Sequence, residues 1–318
     1  MSMVDLNLMK AILEALPQTS QLVLVGDPNQ LPPIASGAVW HQLQRESMRM
    51  HFKEGSIHLH KHYRNRGELA SLSKVLCHQG INSFWSQLSK VSEEANINIV
   101  RSKTNSIPPL LSNRLRKHSK RLEQLTQLLH KKFPEGFKPL PSQEVNLGRE
   151  GEDLMKCLDE LMVLCPKRYG SWGVDEIHKA FLQNNSKETF LKWPEGTPVM
   201  CSENQPELQL ANGDIGIVIG EGENCRLIFR VLSGDRKLAT RFIHPARLKA
   251  LEPALAMTIH KAQGSEADEV ILLWPEELQQ SYQANEQTDE NKSYEERLLY
   301  TAITRARERI DLIVNSSN

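Results

Sequence analysis

Nine residues, 258–266, hold Thr258, His260, Lys261, Gln263 and Glu266, punctuated by Gly264. A hydroxyl and a cation are groups that contact phosphate oxygens without reading a base sequence. So many polar side chains in so short a stretch are hard to explain by packing. The plainer reading, a solvated turn ahead of a strand, leaves that density without a purpose. An apolar run, residues 270–274, follows at once and has the length and composition of a buried strand. The cluster is therefore expected beside a rigid α/β sheet, where loops present functional groups.

Two further stretches carry residues of the same kind. Gly26-Asp27-Pro28-Asn29-Gln30-Leu31-Pro32-Pro33 follows a short apolar run, residues 21–25, and reads as a strand-to-loop junction. Leu299-Tyr300-Thr301-Ala302-Ile303-Thr304-Arg305-Ala306-Arg307 brings two arginines near the carboxyl end. An arginine suits the sensing of a phosphate across a cleft, because its planar fork pairs with phosphate oxygens and keeps its proton. The competing role for Arg305 is a surface ion pair with an acid such as Glu308 or Glu296.

Taken in order, these three blocks resemble motifs III, V and VI of superfamily 1 helicases, and within them the RecD-like branch of superfamily 1B (the exodeoxyribonuclease V alpha subunit type). Residues 56–65, with Tyr63-Arg64, resemble motif IV, and the turn from Arg168 to Val174 is also RecD-like. The resemblance implies RecA-like helicase domains of the P-loop NTPase type, α/β in class, with a small SH3-like β-barrel inserted in the second. It implies ATP and Mg²⁺ as cofactors, 5′ to 3′ movement on single strands, DNA ends as substrate in break repair and recombination, and RecB-like and RecC-like subunits as partners. Gln30, Arg64 and Arg305 become the catalytic candidates. Gly26, Asp27, Gln30, Arg64, Gln263, Gly264, Glu266 and Arg305 form the nucleotide side, with Glu266 suited to a ribose hydroxyl. Thr258, His260 and Lys261 form the DNA side.

The family's phosphate loop, G-x-x-x-x-G-K-[ST], is not found in the 318 residues, and neither is the Asp-Glu pair that precedes the opening Ser2-Met3-Val4-Asp5-Leu6 in relatives. The chain is thus expected to be a carboxyl-terminal motor part, unable to bind ATP and Mg²⁺ in full by itself and inactive alone. The alternative is a non-catalytic DNA-binding or assembly fragment. The expected divisions are 1–55 for the remnant of the first RecA-like domain and 56–196 for the first part of the second. Residues 197–251 are the β insertion, and 252–318 the last part.

The positioning elements can be read from apolar periodicity. Helices are expected over 3–16, from Gly37, over 67–78 with Gly80 as the stop, over 114–132, 152–161 and 174–183, and over 294–307 carrying Arg305. Strands are expected at 21–25, ahead of residue 56, and at 96–100, 162–166, 270–274 and 310–314. Short strands at 197–201, 215–219, 226–231 and 240–243 alternate with Asn212-Gly213-Asp214 and Ser233-Gly234-Asp235, which are hairpin signals. Residues 134–151 read as a connector, and 276–290 as a polar loop.

Composition excludes some classes of function. With 39 basic and 39 acidic residues the net charge is zero, so nucleic acid must be met by a local surface. The five cysteines form no metal-binding pattern, and His58, His60 and His62 alternate without a carboxylate or thiol beside them. No metal site is assigned. Trp40, Tyr63 and Trp274 are candidates for base stacking, with the core as the competing place for each. No apolar run reaches membrane-spanning length, and the cytoplasm is the expected location.

Overall fold

The computed structural model describes residues 2–59, 67–90, 96–104, 106–133, 147–182, 193–232, 238–275, 278 and 294–315. In chain order the helices are α1 (Leu6–Ala15), α2 (Val39–Leu43), α3 (Glu46–Phe52), α4 (Gly67–Leu88), α5 (Pro109–Lys131), α6 (Gly148–Leu158), α7 (Val174–Leu182) and α8 (Tyr294–Ile303). The strands are β1 (Ile97–Ser102), β2 (Leu161–Cys165), β3 (Pro198–Cys201), β4 (Ile215–Ile219) and β5 (Arg226–Leu232). They continue with β6 (Leu238–Ile243), β7 (Leu251–Pro253), β8 (Met257–Thr258), β9 (Ala267–Trp274) and β10 (Ala306–Asn315). Two compact units result: Met1–Ala95 with Gln287–Thr304, and Asn96–Glu286 with Arg305–Asn318.

In the first unit, Asp5 caps α1 by accepting from the Leu8 amide at 2.8 Å, and Pro17 lies just beyond its end. The expected strand at 21–25 is not formed. Its residues join no ladder among the described residues, and Val23 and Val25 are 73% and 69% exposed. An apolar run becomes a strand only where neighbours take up its backbone groups. No strand precedes residue 56 either; a 3-10 turn, Lys53–Gly55, stands there. Gly80 does not stop α4 but kinks it, at φ 78° and ψ −179°, and the helix resumes. The restart is capped from α8, whose Glu296 carboxylate accepts from the Ile81 amide at 3.1 Å. Leu72, Leu76, Phe84 and Leu88 are buried along α4, which packs against α8.

The second unit contains two five-stranded sheets. One is wholly parallel, in the order β1-β10-β9-β2-β8. Its inner strands are near-continuous apolar runs, as a sheet covered on both faces requires: Val270 to Trp274 and Ile310 to Ile313 are all 3% exposed or less. The expected helix over 294–307 ends at Ile303 instead, and Ala306 enters β10 opposite Ala267. Arg305 therefore lies between helix and strand, because the parallel ladder with β9 captures the residues that follow it. α6 begins at Gly148, ahead of the helix expected from 152, and residues 134–146 of the expected connector lie outside the described residues.

The other sheet is antiparallel, in the order β6-β5-β4-β3-β7, with a 3-10 turn, Pro245–Arg247, between β6 and β7. Strand alternation buries both of its faces. Val218, Leu227 and Phe229 join Val163, Ile271 and Ile313 of the parallel sheet in one core. Ile217, Ile219, Ile228 and Phe242 pack with Leu122 and Leu129 of α5 and Leu154 of α6. Each such side chain removed from water contributes about 1.5–3 kcal/mol. Where the chain approaches α5, Gly196 has φ +83°, and a Cβ there would lie 2.7 Å from the Glu123 backbone. The Ser233-Gly234-Asp235 turn lies outside the described residues.

Candidate functional site

In the first unit, one face of α8 grips the loop at 26–33. Asp27 Oδ2 accepts from the Tyr300 hydroxyl at 2.9 Å and from Gln30 Nε2 at 3.4 Å, while Oδ1 accepts from the Asn29 amide at 2.9 Å. The Leu31 amide donates to Thr301 Oγ1 at 3.0 Å, and Arg297 donates to the Pro28 carbonyl. Positions 297, 300 and 301 are spaced i, i+3, i+4, and so share a helix face. Burial, followed by the Asp27 carboxylate, pushes the Tyr300 phenol above its ordinary range, so it stays a neutral donor. Burial likewise lowers His41, beside this loop. Gly26 is exposed and Gln30 half-buried. Sequence reasoning missed Arg297, Tyr300 and Thr301 as anchors. Their signal is a polar-tipped i, i+3, i+4 stripe on a helix that also carries Leu298, Leu299 and Ile303.

In the second unit, the polar cluster at 258–266 is divided between opposite ends of the parallel sheet. Thr258 closes β8 opposite Cys165, and Leu164 faces both Met257 and Leu272. Thr258 is thus level with residue 273, six positions beyond Ala267, or about 20 Å along the strands at ~3.3 Å per residue. Tight turns carry the chain across: the Ala262 amide donates to the Thr258 carbonyl at 3.1 Å and Gln263 to His260 at 3.2 Å. Exposed Gly264, at φ +90°, allows the turn toward β9.

At the carboxyl end, Thr258 Oγ1 accepts from the Lys261 amide at 3.4 Å, and the Lys261 ammonium bonds to Glu252 Oε1. Arg168 donates to Glu252 Oε2 at 3.0 Å. Burial depresses His260, which favours its neutral form. At the amino end, Arg305 is 2% exposed and donates to the Ser265 carbonyl at 3.1 Å. Arg307 bonds to Glu266 Oε1 at 3.1 Å and Asp268 Oδ1 at 2.8 Å. Glu266 and Arg307 face a cavity of about 740 Å³ that His118, Asp214 and Arg230 also line.

The structure thus groups Asp27 and Gln30 in the first unit. In the second it groups Thr258, His260 and Lys261 at one sheet end, and Ser265, Glu266 and Arg305 at the other. Tyr63 and Arg64, with His60 and His62, lie outside the described residues. Trp40 and Trp274 are 7% and 0% exposed and belong to the core. His118, Cys157 and Glu160 bring possible ligand atoms within 4.8 Å of one another. Arg121 already pairs with Glu160, and burial raises the Cys157 thiol to about 11, so both groups work against a cation there. Among the described residues no helix is long and apolar enough to cross a membrane.

A family model described as the UvrD-like helicase C-terminal domain matches residues 253–313, and one described as an AAA domain matches residues 1–102. Over 317 residues the chain is 30% identical to the RecBCD enzyme subunit RecD of Mycolicibacterium smegmatis, covering 98% of this chain and 48% of that protein. The same subunit of Haemophilus influenzae is 24% identical over 346 residues, covering 99% and 50%. Among solved structures, Bacteroides Pif1 bound to ssDNA is similar at 15% identity, with a TM-score of 0.43, covering 92% of this chain and 62% of that one.

Proposed function

Because the chain is RecD-like, a superfamily 1 helicase sequence spanning about half the length of the curated relatives it matches, we propose that it is the carboxyl-terminal motor part of an ATP-dependent 5′ to 3′ DNA helicase acting on DNA ends in break repair and recombination. The observation that carries this reading is the division of residues 258–266 between two sheet ends. Lys261 and Thr258 stand at one, Arg305 and Glu266 at the other, joined by a single short crossover.

At the carboxyl end, Thr258 and Lys261 hold backbone phosphates of a single strand, with His260 beside them as a neutral group. At the amino end, Arg305 carries a charge that cannot be titrated away and senses the terminal phosphate. Arg307 orients Glu266 toward a sugar hydroxyl. The motif III and motif IV resemblances assign Gln30, on the loop that Tyr300 and Thr301 hold still, and Arg64 to the nucleotide as well. ATP, when bound with Mg²⁺, supplies the phosphoryl transfer that drives stepping. The resemblance assigns these donors to the far side of a nucleotide, which Arg305, 2% exposed and bonded to the Ser265 carbonyl, would reach only by exchanging that bond. They do not fit Mg²⁺, because Asp27 is committed to Tyr300, Asn29 and Gln30 and the sequence holds no G-x-x-x-x-G-K-[ST].

The divisions 1–55, 56–196, 197–251 and 252–318 belong to the same reading, with the antiparallel sheet as an SH3-like insertion. Its strand order and the 3-10 turn before β7 support that assignment. RecB-like and RecC-like subunits are the proposed partners, and the cytoplasm the proposed location.

The test compares this chain alone with a fusion to a RecD-type amino-terminal half carrying a phosphate loop. The chain alone is expected to hydrolyse ATP at background rate. The fusion is expected to show DNA-stimulated hydrolysis that Arg305→Ala or Gln30→Ala abolishes while single-strand binding persists. Loss of DNA binding in those variants, or turnover that survives them, would overturn the role assignment.

A further inference from the structure

Glu252 lies on β7, an edge strand of the antiparallel sheet, close in sequence to β8, an edge strand of the parallel one. Its side chain is only 14% exposed, yet both carboxylate oxygens are taken by cations: Oε1 by Lys261 and Oε2 by Arg168 at 3.0 Å. The cations come from separate elements, Arg168 from the loop after β2 and Lys261 from the crossover after β8. Both remain partly open to solvent, at 42% and 31% exposure. Arg168 also approaches Asp175 Oδ1 at 3.5 Å and stands 5.9 Å from the ring centroid of Tyr169. That ring is 69% exposed, an unusual position for a large aromatic side chain with no core role.

Two partly exposed cations converging on one two-oxygen anion, with an open aromatic face alongside, are the parts of a single-strand binding groove: charge for the backbone and a platform for a base. We propose that Arg168 and Lys261 form a phosphate subsite for single-stranded nucleic acid, that Glu252 occupies it in the free protein as an internal substitute for the phosphate, and that Tyr169 stacks the adjoining base. The subsite rests on the functional reading above, and extends it to Arg168, Tyr169 and Glu252. It makes binding an exchange. As the strand's phosphate displaces the carboxylate, the strand releases a counterion and the freed carboxylate takes one up, so the internal anion lowers both affinity and salt sensitivity.

The test is fluorescence anisotropy of the 318-residue chain with labelled oligo-dT of about 20 nucleotides, longer than the ~4–16 covered by one single-strand fold, between about 50 and 200 mM salt. Glu252→Gln is expected to bind about twofold to fivefold tighter, the scale of a partly exposed ion pair. Its plot of log affinity against log salt should steepen by up to about 0.7, one single-strand phosphate contact without compensating uptake. In an Arg168→Ala background that gain should shrink or vanish. Tyr169→Ala should weaken binding at least about fivefold, the low end of base–aromatic stacking, with Tyr169→Trp restoring it.

Unchanged affinity and slope in Glu252→Gln, a gain indifferent to Arg168, or a Tyr169→Ala chain that binds like wild type would overturn the subsite while leaving the functional reading intact. A wild-type chain that binds no oligo-dT would remove both. Circular dichroism and a thermal midpoint near wild type confirm that Glu252→Gln is folded; if it is not, the Arg168 and Tyr169 variants decide the question.

Discussion

The hydroxyl of Tyr300 donates to Asp27 Oδ2 across 273 positions of sequence, tying the loop at 26–33 to the helix that precedes Arg305. Tyr300→Phe removes a part-buried hydrogen bond to a carboxylate, worth about 1.5–3 kcal/mol. The expected result is a lower thermal midpoint for the first unit and faster hydrogen exchange at the Asn29 and Leu31 amides. Exchange rates at those amides equal to wild type would show that the loop does not depend on this anchor.

The same phenol gives an alkaline signature. Its folded-state pKa lies above the ordinary value, so its neutral form contributes full stability below about pH 10. That contribution declines as pH rises beyond it, because the unfolded phenol ionises first. A urea titration series from pH 8 to about 11 should show stability falling in wild type and falling less in Tyr300→Phe.

On the acid side the sign is opposite. Burial depresses His178 to about 4, and its Nε2 lies 3.1 Å from the Ala256 carbonyl oxygen. Burial, aided by Arg121 and Arg114, lowers His118 to about 4 as well. Stability is complete above the unfolded value of about 6.5 and is lost as pH falls toward 4, since the unfolded imidazoles take protons first. The thermal midpoint of the second unit should therefore drop over that window. The drop should be shallower in His178→Gln, and an identical acid profile would exclude His178 as a cause.

Arg307 bonds to both Glu266 and Asp268. In the ATP-hydrolysing fusion, Arg307→Gln should raise KM for ATP severalfold while changing kcat less, because it frees Glu266 without touching the phosphate-sensing arginine. A pure kcat loss would place Arg307 elsewhere in the cycle.

Two glycines with left-handed backbones should respond differently to alanine. At Gly264, with φ +90°, an added methyl would meet nothing within 4 Å, so Gly264→Ala bears only backbone strain of about 1–2 kcal/mol. Gly196→Ala adds a collision with Glu123 backbone to the same strain and should cost more, about 3 kcal/mol or above. Equal shifts in thermal midpoint would contradict the packing at α5.

Much of this was legible in the sequence where local pattern and tertiary environment agree. The apolar run at 270–274, the alternating strands of the antiparallel sheet and the helices α5 and α7 all stand near their expected places. The misreadings occur where the two conflict. Residues 21–25 have strand composition but find no ladder among the described residues. The helix expected over 294–307 stops at Ile303, because pairing with β9 draws Ala306 into β10. Gly80 carries a helix-stop signal that a carboxylate from α8 overrides. The site residues themselves were visible as a dense polar cluster. Their division between sheet ends was not, since it depends on which strand lies beside β8.

The crossover from Thr258 to Ala267 has nine residue steps, at most about 30 Å of extended chain, and must travel about 20 Å lengthwise as well as pass β2. Hydrogen-bonded turns at Ala262, Gln263 and Ser265 take up part of that reach, so the crossover joins the two sheet ends with little length in reserve. Deleting one residue is expected to disturb the Lys261 contact with Glu252 or the Arg305 contact with the Ser265 carbonyl, since each is anchored to a different end of the same short span.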